Sequence, residues 1–259
     1  MEYSEVVFDF AFAISGNGHE LATVRNSNIV KLWNIDSGAQ CGRIDVGKNI
    51  VSKIAYSSDS RNMALVYRSD GRTNDKIALW DIESRKLLRT ITCGGGVWSL
   101  AFAGNNKSIF AQINTQSRFA MAQYDLNTGT CIRRRILSGI NLYVASISSN
   151  NLIAVTPQNE VEIMDSQFKH RDSFRVSSIY IGDMAFLNDK LLLYSGTDPT
   201  DLNDLVDHSY LYDIAKGKTT DNVDILGHVE ELSSARYAPR LAIMRHDGTI
   251  DIVEYALTK

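Results

Sequence analysis

Proline, cysteine and long apolar runs are scarce in this sequence. Only 3 of its 259 residues are proline and 3 are cysteine, and no apolar stretch approaches the roughly 18 residues of a membrane span. Without a Pro-, Gly- or Ser-rich linker, the chain is expected to form a single domain. Cys41, Cys93 and Cys131 are odd in number and lack CxxC spacing, which favours reduced thiols over a disulfide framework or a zinc site.

An excess of either charge is also missing. The formal net charge is −3, so no global positive field would attract nucleic acid or anionic lipid. The amino terminus, Met1–Glu5, is acidic where a secretory signal would be basic. We therefore expect an intracellular protein, cytoplasmic or nuclear, without a membrane span.

Motifs of catalysis are absent as well. The run Gly94–Gly96 lacks the Lys-Ser/Thr of a phosphate-binding loop and precedes a strand-like segment, where such a loop needs a helix. The five histidines are scattered without an HExxH pair, and no GxSxG elbow occurs. The sequence thus predicts a protein that is not an enzyme and that uses no cofactor and no metal.

What the sequence does contain is a recurring dipeptide. Strand-like segments end in an aromatic–acidic or related pair at intervals of about 40 to 48 residues, the period of a four-stranded propeller blade. The pairs are Trp33-Asn34, Trp80-Asp81, Tyr124-Asp125, Met164-Asp165, Tyr212-Asp213 and Val253-Glu254. An alternating segment such as Ile29–Trp33 precedes each pair, and a glycine turn such as Asp36–Gly38 commonly follows, which indicates strand, turn, strand.

Two further strand-like segments precede the dipeptide strand in nearly every unit, as at Val51–Tyr56 and Ala64–Tyr67 in the second. The sequence therefore predicts an all-β fold, a single β-propeller of six blades with four antiparallel strands each, over residues 1–259. The approximate blades are 5–44, 51–93, 96–137, 140–176, 177–226 and 228–259.

Over essentially the whole chain these repeats resemble those of the WD-repeat family, in diverged form. In the last unit Gly227-His228 precedes Asp247, and in that family such a histidine and aspartate share a buried hydrogen-bond network with a Ser or Thr and the Trp. The resemblance implies a partial network here, because Val253 replaces the Trp, and it implies the aspartate role for Asp75 in blade two. The residues expected to have structural repeat roles are Trp33, Trp80, Asp81, Tyr124, Asp125, Tyr212, Asp213, His228 and Asp247.

The way in which the ring closes stays open at this point. Only about five residues precede the first inner strand, and Lys259 comes near the end of a third strand, so the last blade is expected to lack its outer strand. Met1–Ser4 could supply a short outer strand, a partner could donate one, or the chain could be part of a longer polypeptide. A partner or a missing segment could also raise the number of blades to seven.

The predicted binding surface is the mouth of the central channel. Alignment of the inner strands places Phe8, Ser52, Trp98, Tyr143, Gly182 and Ser233 at one level. WD-repeat proteins receive peptides at this end, and aromatic anchors beside polar loops suit a protein interface. The predicted partner-binding residues are Phe8, Asp70, Arg72, Trp98 and Tyr143. The alternative is that the aromatic side chains fill the channel mouth or pack between blades.

An acidic group lies in a long loop of blade five, at Asp198, Asp201, Asp204 and Asp207. Clustered carboxylates are the ligands of calcium, but spacing by three differs from that of a known calcium loop. We favour a solvated loop or an acidic docking site.

A basic group, Arg133, Arg135, Lys169 and Arg171, could form a patch on the outer rim that binds RNA phosphates. Strand alternation places Arg134 opposite its neighbours, and no aromatic stacking platform accompanies the group. Solvated charges that protect a sheet edge are the favoured interpretation.

These observations predict a non-catalytic scaffold or adaptor that binds protein partners within an intracellular multiprotein complex. The alternative is an RNA-associated subunit of a ribonucleoprotein or ribosome-assembly complex. A propeller enzyme or small-molecule binder is least favoured, because it would need titratable groups that converge in the channel.

Overall fold

The computed structural model describes residues 10–25, 27–69, 71, 73–115, 118–137, 152–156, 160–176, 180–197, 207–223, 229, 231–245 and 247–256. Within these ranges all regular elements are β-strands. No helix in this part of the chain has the length and apolar character needed to cross a membrane. The strands form six antiparallel sheets arranged as a ring, which is a six-bladed β-propeller as the sequence predicts.

Within every blade the strands are ordered as in the chain. Blade one contains β1 (Phe10–Ile14), β2 (Glu20–Arg25), β3 (Ile29–Asn34) and β4 (Gln40–Asp45). Blade two contains β5 (Val51–Tyr56), β6 (Asn62–Tyr67), β7 (Lys76–Asp81) and β8 (Lys86–Thr92). Blade three contains β9 (Gly96–Phe102), β10 (Ser108–Asn114), β11 (Phe119–Asp125) and β12 (Cys131–Ile136).

The described part of blade four contains β13 (Ile153–Val155), β14 (Glu160–Met164) and β15 (His170–Arg175), and its predicted inner strand lies outside the described residues. Blade five contains β16 (Tyr180–Phe186), β17 (Leu191–Thr197), β18 (Asp207–Asp213) and β19 (Lys218–Val223). Blade six contains β20 (Glu231–Ser234), β21 (Arg240–Met244) and β22 (Ile250–Glu254). Among the described residues blade six has three strands, as expected for a last blade without its outer strand.

Each blade is buried on both faces because it packs between two neighbours. In β6, Met63 and Leu65 pack with residues of blade one, whereas Ala64 and Val66, on the other face, pack with residues of blade three. All four have no exposed surface. The hydrophobic core is therefore a series of layers between blades, and it holds each sheet at a fixed angle to the next.

The dipeptide aspartates end the third strand of a blade by capping the turn that follows. Asp81 accepts hydrogen bonds from the Ser84 N–H at 2.7 Å and from its hydroxyl, and Asp125 accepts the Thr128 N–H at 2.7 Å. These hydrogen bonds lower the pKa of both carboxyls. Turn formation by a short polar side chain explains why an acidic residue recurs at this position. The turn glycines Gly38, Gly129 and Gly217 have φ of 69°, 75° and 61°, as the sequence predicts.

Asp75 links blade two to blade three. Its buried carboxylate accepts the Ser69 N–H at 2.8 Å and the Val97 N–H of blade three at 2.9 Å. Its own N–H donates to the carbonyl of Gly95, where a Cβ would lie 2.5 Å from the Asn114 carbonyl oxygen. The glycine run thus allows a close backbone contact. Asp75 also accepts a hydrogen bond from the Ser69 hydroxyl, whereas the Trp80 indole N–H donates to Tyr67, so this network includes a Ser but not the Trp of the blade.

Asp247 differs from this expectation. It is exposed, and its carboxylate accepts the N–H and hydroxyl of Thr249 at 2.9 and 2.7 Å. A buried network through Asp247 was therefore a wrong prediction, because the carboxylate caps its own exposed turn. His228 lies outside the described residues.

Backbone and side-chain hydrogen bonds join the last blade to the first. The Ile14 N–H donates to the Ser233 hydroxyl at 3.1 Å, and the Tyr237 N–H donates to the Gly16 carbonyl at 2.8 Å. Arg240 donates to the Gly18 carbonyl at 2.9 Å and pairs with Asp36 at 2.8 Å. Met1–Ser4 lie outside the described residues, so a further closing strand from this segment or from a partner stays a prediction.

Candidate functional site

The channel mouth is shaped by irregular pairing where the inner strands begin. Register shifts occur in β5 at Ser52, in β9 at Trp98 and in β16 at Gly182-Asp183. A β-bulge re-aims the side chain at the extra residue and bends the strand. The sequence alignment placed Ser52, Trp98 and Gly182 at equivalent positions of their blades. The strand pairing agrees, because each lies at the register shift of its inner strand.

The same pairing corrects the alignment in blade six. Tyr56, Phe102, Phe186 and Ser234 pair with equivalent residues of the second strands. The residues three positions earlier therefore lie at equivalent positions in their blades. They are Lys53, Ser99, Asp183 and Glu231. Ser233 lies two residues beyond the position equivalent to Lys53, so the sequence alignment of Ser233 with Ser52 was wrong. The small residues around Ser233 provide no hydrophobic pattern that would fix the alignment.

Trp98 is a large, partly exposed aromatic side chain at this end of the ring. It is 42% exposed, and its ring meets that of Phe119 edge-on at 5.9 Å. Ile50, which immediately precedes β5 at the same end of the ring, is 46% exposed. The two residues place apolar surface on neighbouring blades beside the channel.

Three charged side chains connect blades five, six and two next to this surface. Lys53 pairs with Glu231 at 2.7 Å, and Asp183 accepts the Leu232 N–H at 2.7 Å. Loss of water around the Asp183 carboxyl, together with the negative charge of Glu231, raises the pKa of Asp183 to about 7. Sequence reasoning missed this group. A charged residue within an otherwise apolar inner strand, as in β5 and β16, was the signal that could have revealed it.

Several predicted site residues lie outside the described residues. They are Phe8, Asp70, Arg72 and Tyr143 of the channel mouth and Asp198, Asp201 and Asp204 of the acidic loop. Asp207 is the first residue of β18, and its side chain is not described. The roles predicted for all of them stay predictions.

The basic group is directed toward blade four. Arg133 donates to the Ser166 carbonyl at 3.1 Å, Arg135 pairs with Glu162 at 3.0 Å, and Arg171 pairs with Asp165 at 2.9 Å. Lys169 is exposed in the adjoining turn. Arg134 points the other way and donates to the Cys93 carbonyl of blade two at 3.3 Å, as strand alternation predicts. Arg133 and Arg135 thus join blades three and four, and a phosphate would compete with these contacts.

A cleft of about 230 Å³ opens at the opposite end of blades one and two, lined in part by His19, Glu20 and Cys41. Asp36 accepts a hydrogen bond from His19 at 2.6 Å. Burial and the nearby Glu20 carboxylate raise the pKa of the Cys41 thiol, which disfavours the nucleophilic thiolate. Within the described part of the chain no three metal-binding side chains form a cluster.

No family model and no curated protein matches this sequence. Solved structures do match. The chain is similar to the structure of U3-55K, with a TM-score of 0.69 and 12% identity over 95% of this chain and 77% of that one. It is also similar to hydrazine synthase of Kuenenia stuttgartiensis, with a TM-score of 0.72 and 10% identity over 99% of each chain. At these identities the similarity shows the propeller fold alone.

Proposed function

We propose that this propeller is a non-catalytic scaffold that binds another protein at the channel mouth, with Trp98 as an anchor. The observation that carries the proposal is the exposure of Trp98, 42%, at the irregularity where the inner strand of blade three begins. A partly exposed tryptophan buries a large area at a small cost in conformational entropy, which is why this residue is frequent among interface hot spots.

The surroundings of Trp98 suit a protein ligand. Ile50 extends the apolar surface onto blade two, and the ion pair of Lys53 with Glu231 supplies polar groups toward the channel. Both Asp183 carboxylate oxygens accept backbone N–H groups, those of Met184 and Leu232. Such a carboxylate fits a structural role better than catalysis. The pairing of Arg133, Arg135 and Arg171 with protein groups supports a protein ligand over RNA.

Comparison of Trp98→Ala with Tyr237→Ala tests this proposal. Tyr237 is 65% exposed but belongs to a turn at the opposite end of the ring, so it is a matched control. We expect affinity purification of tagged chains, quantified by mass spectrometry at low and high salt, to recover the same partners with the wild type and Tyr237→Ala. Trp98→Ala should lose them, and the Kd of a purified partner should rise about tenfold or more.

Both variants should still melt cooperatively; Trp98→Ala is expected to lower the Tm modestly, because it loses the contact with Phe119, whereas Tyr237→Ala should match the wild type. Retention of every partner by a folded Trp98→Ala variant would refute the anchor. Partners that disappear on ribonuclease treatment, with a steep dependence on salt, would support the RNA-associated alternative instead.

A further inference from the structure

The outer strands of blades two and three have an unusual composition. Together β8 and β12 contain five basic residues and no acidic residue. They also carry four of the seven exposed large hydrophobic side chains of the described chain, Leu87, Leu88, Ile132 and Ile136, which are 47%, 54%, 48% and 51% exposed. We call Lys86, Leu88, Arg89, Ile132, Arg134 and Ile136 the rim patch; Leu87 is left out because it pairs with Trp80 on the face toward blade one.

Two arginines make the rim patch a continuous surface. Arg89 of β8 donates to the Thr128 carbonyl of blade three at 3.2 Å, and Arg134 of β12 donates to the Cys93 carbonyl of blade two at 3.3 Å. These contacts lie near opposite ends of the two strands and connect them across the space between the blades. Both acceptors are neutral carbonyl groups. Asp125, at one end of the patch, is engaged by its own turn.

An outermost strand is a sheet edge, and folded proteins usually protect such edges with charged side chains. The outer strands of blades one and four expose no large hydrophobic side chain, since Ile44 is buried and Phe174 is partly buried. The rim patch instead combines exposed aliphatic side chains with positive charge. This combination fits a surface that a partner covers.

The positive charge of the rim patch indicates which kind of partner fits it. A second copy of this chain would bring Lys86, Arg89 and Arg134 against the same three basic residues, which like-charge repulsion disfavours. RNA would neutralise the charge but leave the aliphatic side chains of the rim patch in water. An acidic peptide segment with interspersed aliphatic residues would satisfy both features.

We propose that the rim patch binds a segment of another protein that carries aliphatic residues among aspartates and glutamates. The interaction is separate from that at the channel mouth. The positive side chains attract the segment, and burial of Leu88, Ile132 and Ile136 retains it.

Three fluorescein-labelled peptides of equal length serve as probes. In the first, leucine and glutamate alternate; in the second, lysine replaces every glutamate; in the third, serine replaces every leucine. Fluorescence polarisation with the full chain should show binding of the first peptide, about tenfold weaker or absent binding of the other two, and weakening with added salt.

Variants then locate the site. Leu88→Ser with Ile132→Ser should weaken binding of the first peptide about tenfold, and Lys86→Glu should weaken it severalfold. The matched controls, Tyr237→Ser for apolar exposure and Lys107→Glu for charge, should leave the Kd unchanged. All five substitutions are at exposed side chains, and melting curves verify that the fold is retained.

Equal binding of the three peptides, absence of binding, or insensitivity to the rim substitutions would overturn the proposal. Dimerisation in sedimentation velocity that Leu88→Ser with Ile132→Ser abolishes would identify a second copy as the occupant instead. Tight binding of a labelled oligouridine that Lys86→Glu weakens would identify RNA. Trp98→Ala should not change peptide binding, so a failure here is distinguishable from a failure at the channel mouth.

Discussion

Asp183 shows how a single inner-strand residue acquires unusual chemistry. The carboxyl lies at a strand irregularity, where loss of water and, to a smaller extent, the nearby Glu231 carboxylate oppose its ionisation. The N–H groups of Met184 and Leu232, as donors, and the charge of Lys53 favour ionisation. Because the pKa is raised from 3.8 to about 7, the folded chain binds more protons than the unfolded chain between these values. The stabilisation that protonated Asp183 provides is complete below pH 3.8 and is lost as the pH rises through 7.

The variant Asp183→Asn should remove this dependence. We expect the wild type to lose free energy of unfolding relative to Asp183→Asn between pH 5 and pH 8, by at most about 1.4 kcal/mol per pH unit. Urea unfolding of both proteins at matched pH values gives the difference in their free energies of unfolding. The contributions of the other carboxyls are common to both proteins and cancel in this difference. Parallel pH profiles for the wild type and Asp183→Asn would contradict the raised pKa.

At the level of strands, the recurring aromatic position is held differently in blades one and two. Trp80 donates its indole N–H to the Tyr67 hydroxyl at 2.8 Å in a buried site. Trp33 donates to the Thr23 hydroxyl at 2.9 Å in a partly buried site. The cost of losing the acceptor depends on whether water can replace it.

The pair of variants Tyr67→Phe and Thr23→Val tests this difference. Tyr67→Phe should lower the free energy of unfolding by about 1–3 kcal/mol, because a buried indole N–H loses its acceptor. Thr23→Val should cost less than about 1 kcal/mol, since water can reach the Trp33 indole. Denaturant unfolding monitored by tryptophan fluorescence gives both values. Equal losses would indicate that burial does not distinguish the two positions.

The strands themselves were predictable because their signals are local. The Trp80-Asp81 pair marks both the end of a strand and the residue that caps its turn, so it reports fold and boundary together. The channel group was not predictable in the same way, because the common level of Lys53, Asp183 and Glu231 depends on irregular pairing between strands. The ion pair of Arg135 with Glu162 depends on which blade faces that side chain.

At the scale of the whole ring, the seam between blades six and one depends on contacts between residues far apart in the chain. Its side-chain contacts centre on Arg240, which bonds to the Gly18 carbonyl, Asp36 and Glu254 and is itself 18% exposed. Packing of Ile250 and Ile252 against Phe12 and Ile14 accompanies these bonds. Opening of the ring between blades six and one would break the Arg240 hydrogen bonds and expose the packed apolar side chains together.

The variant Arg240→Met should therefore weaken the seam more than other interfaces. It retains much of the aliphatic bulk but loses the hydrogen bonds to Gly18 and Asp36, so we expect a loss of about 1–2 kcal/mol, moderated by the exposure of Asp36 and Glu254. Hydrogen exchange measured by mass spectrometry should accelerate in β1 and in β20 to β22 but not in β9 to β11. Arg171→Met, which removes an exposed ion pair within blade four, should cost less than about 0.5 kcal/mol. Uniformly faster exchange in all blades of Arg240→Met would show that the ring opens cooperatively and has no weakest seam.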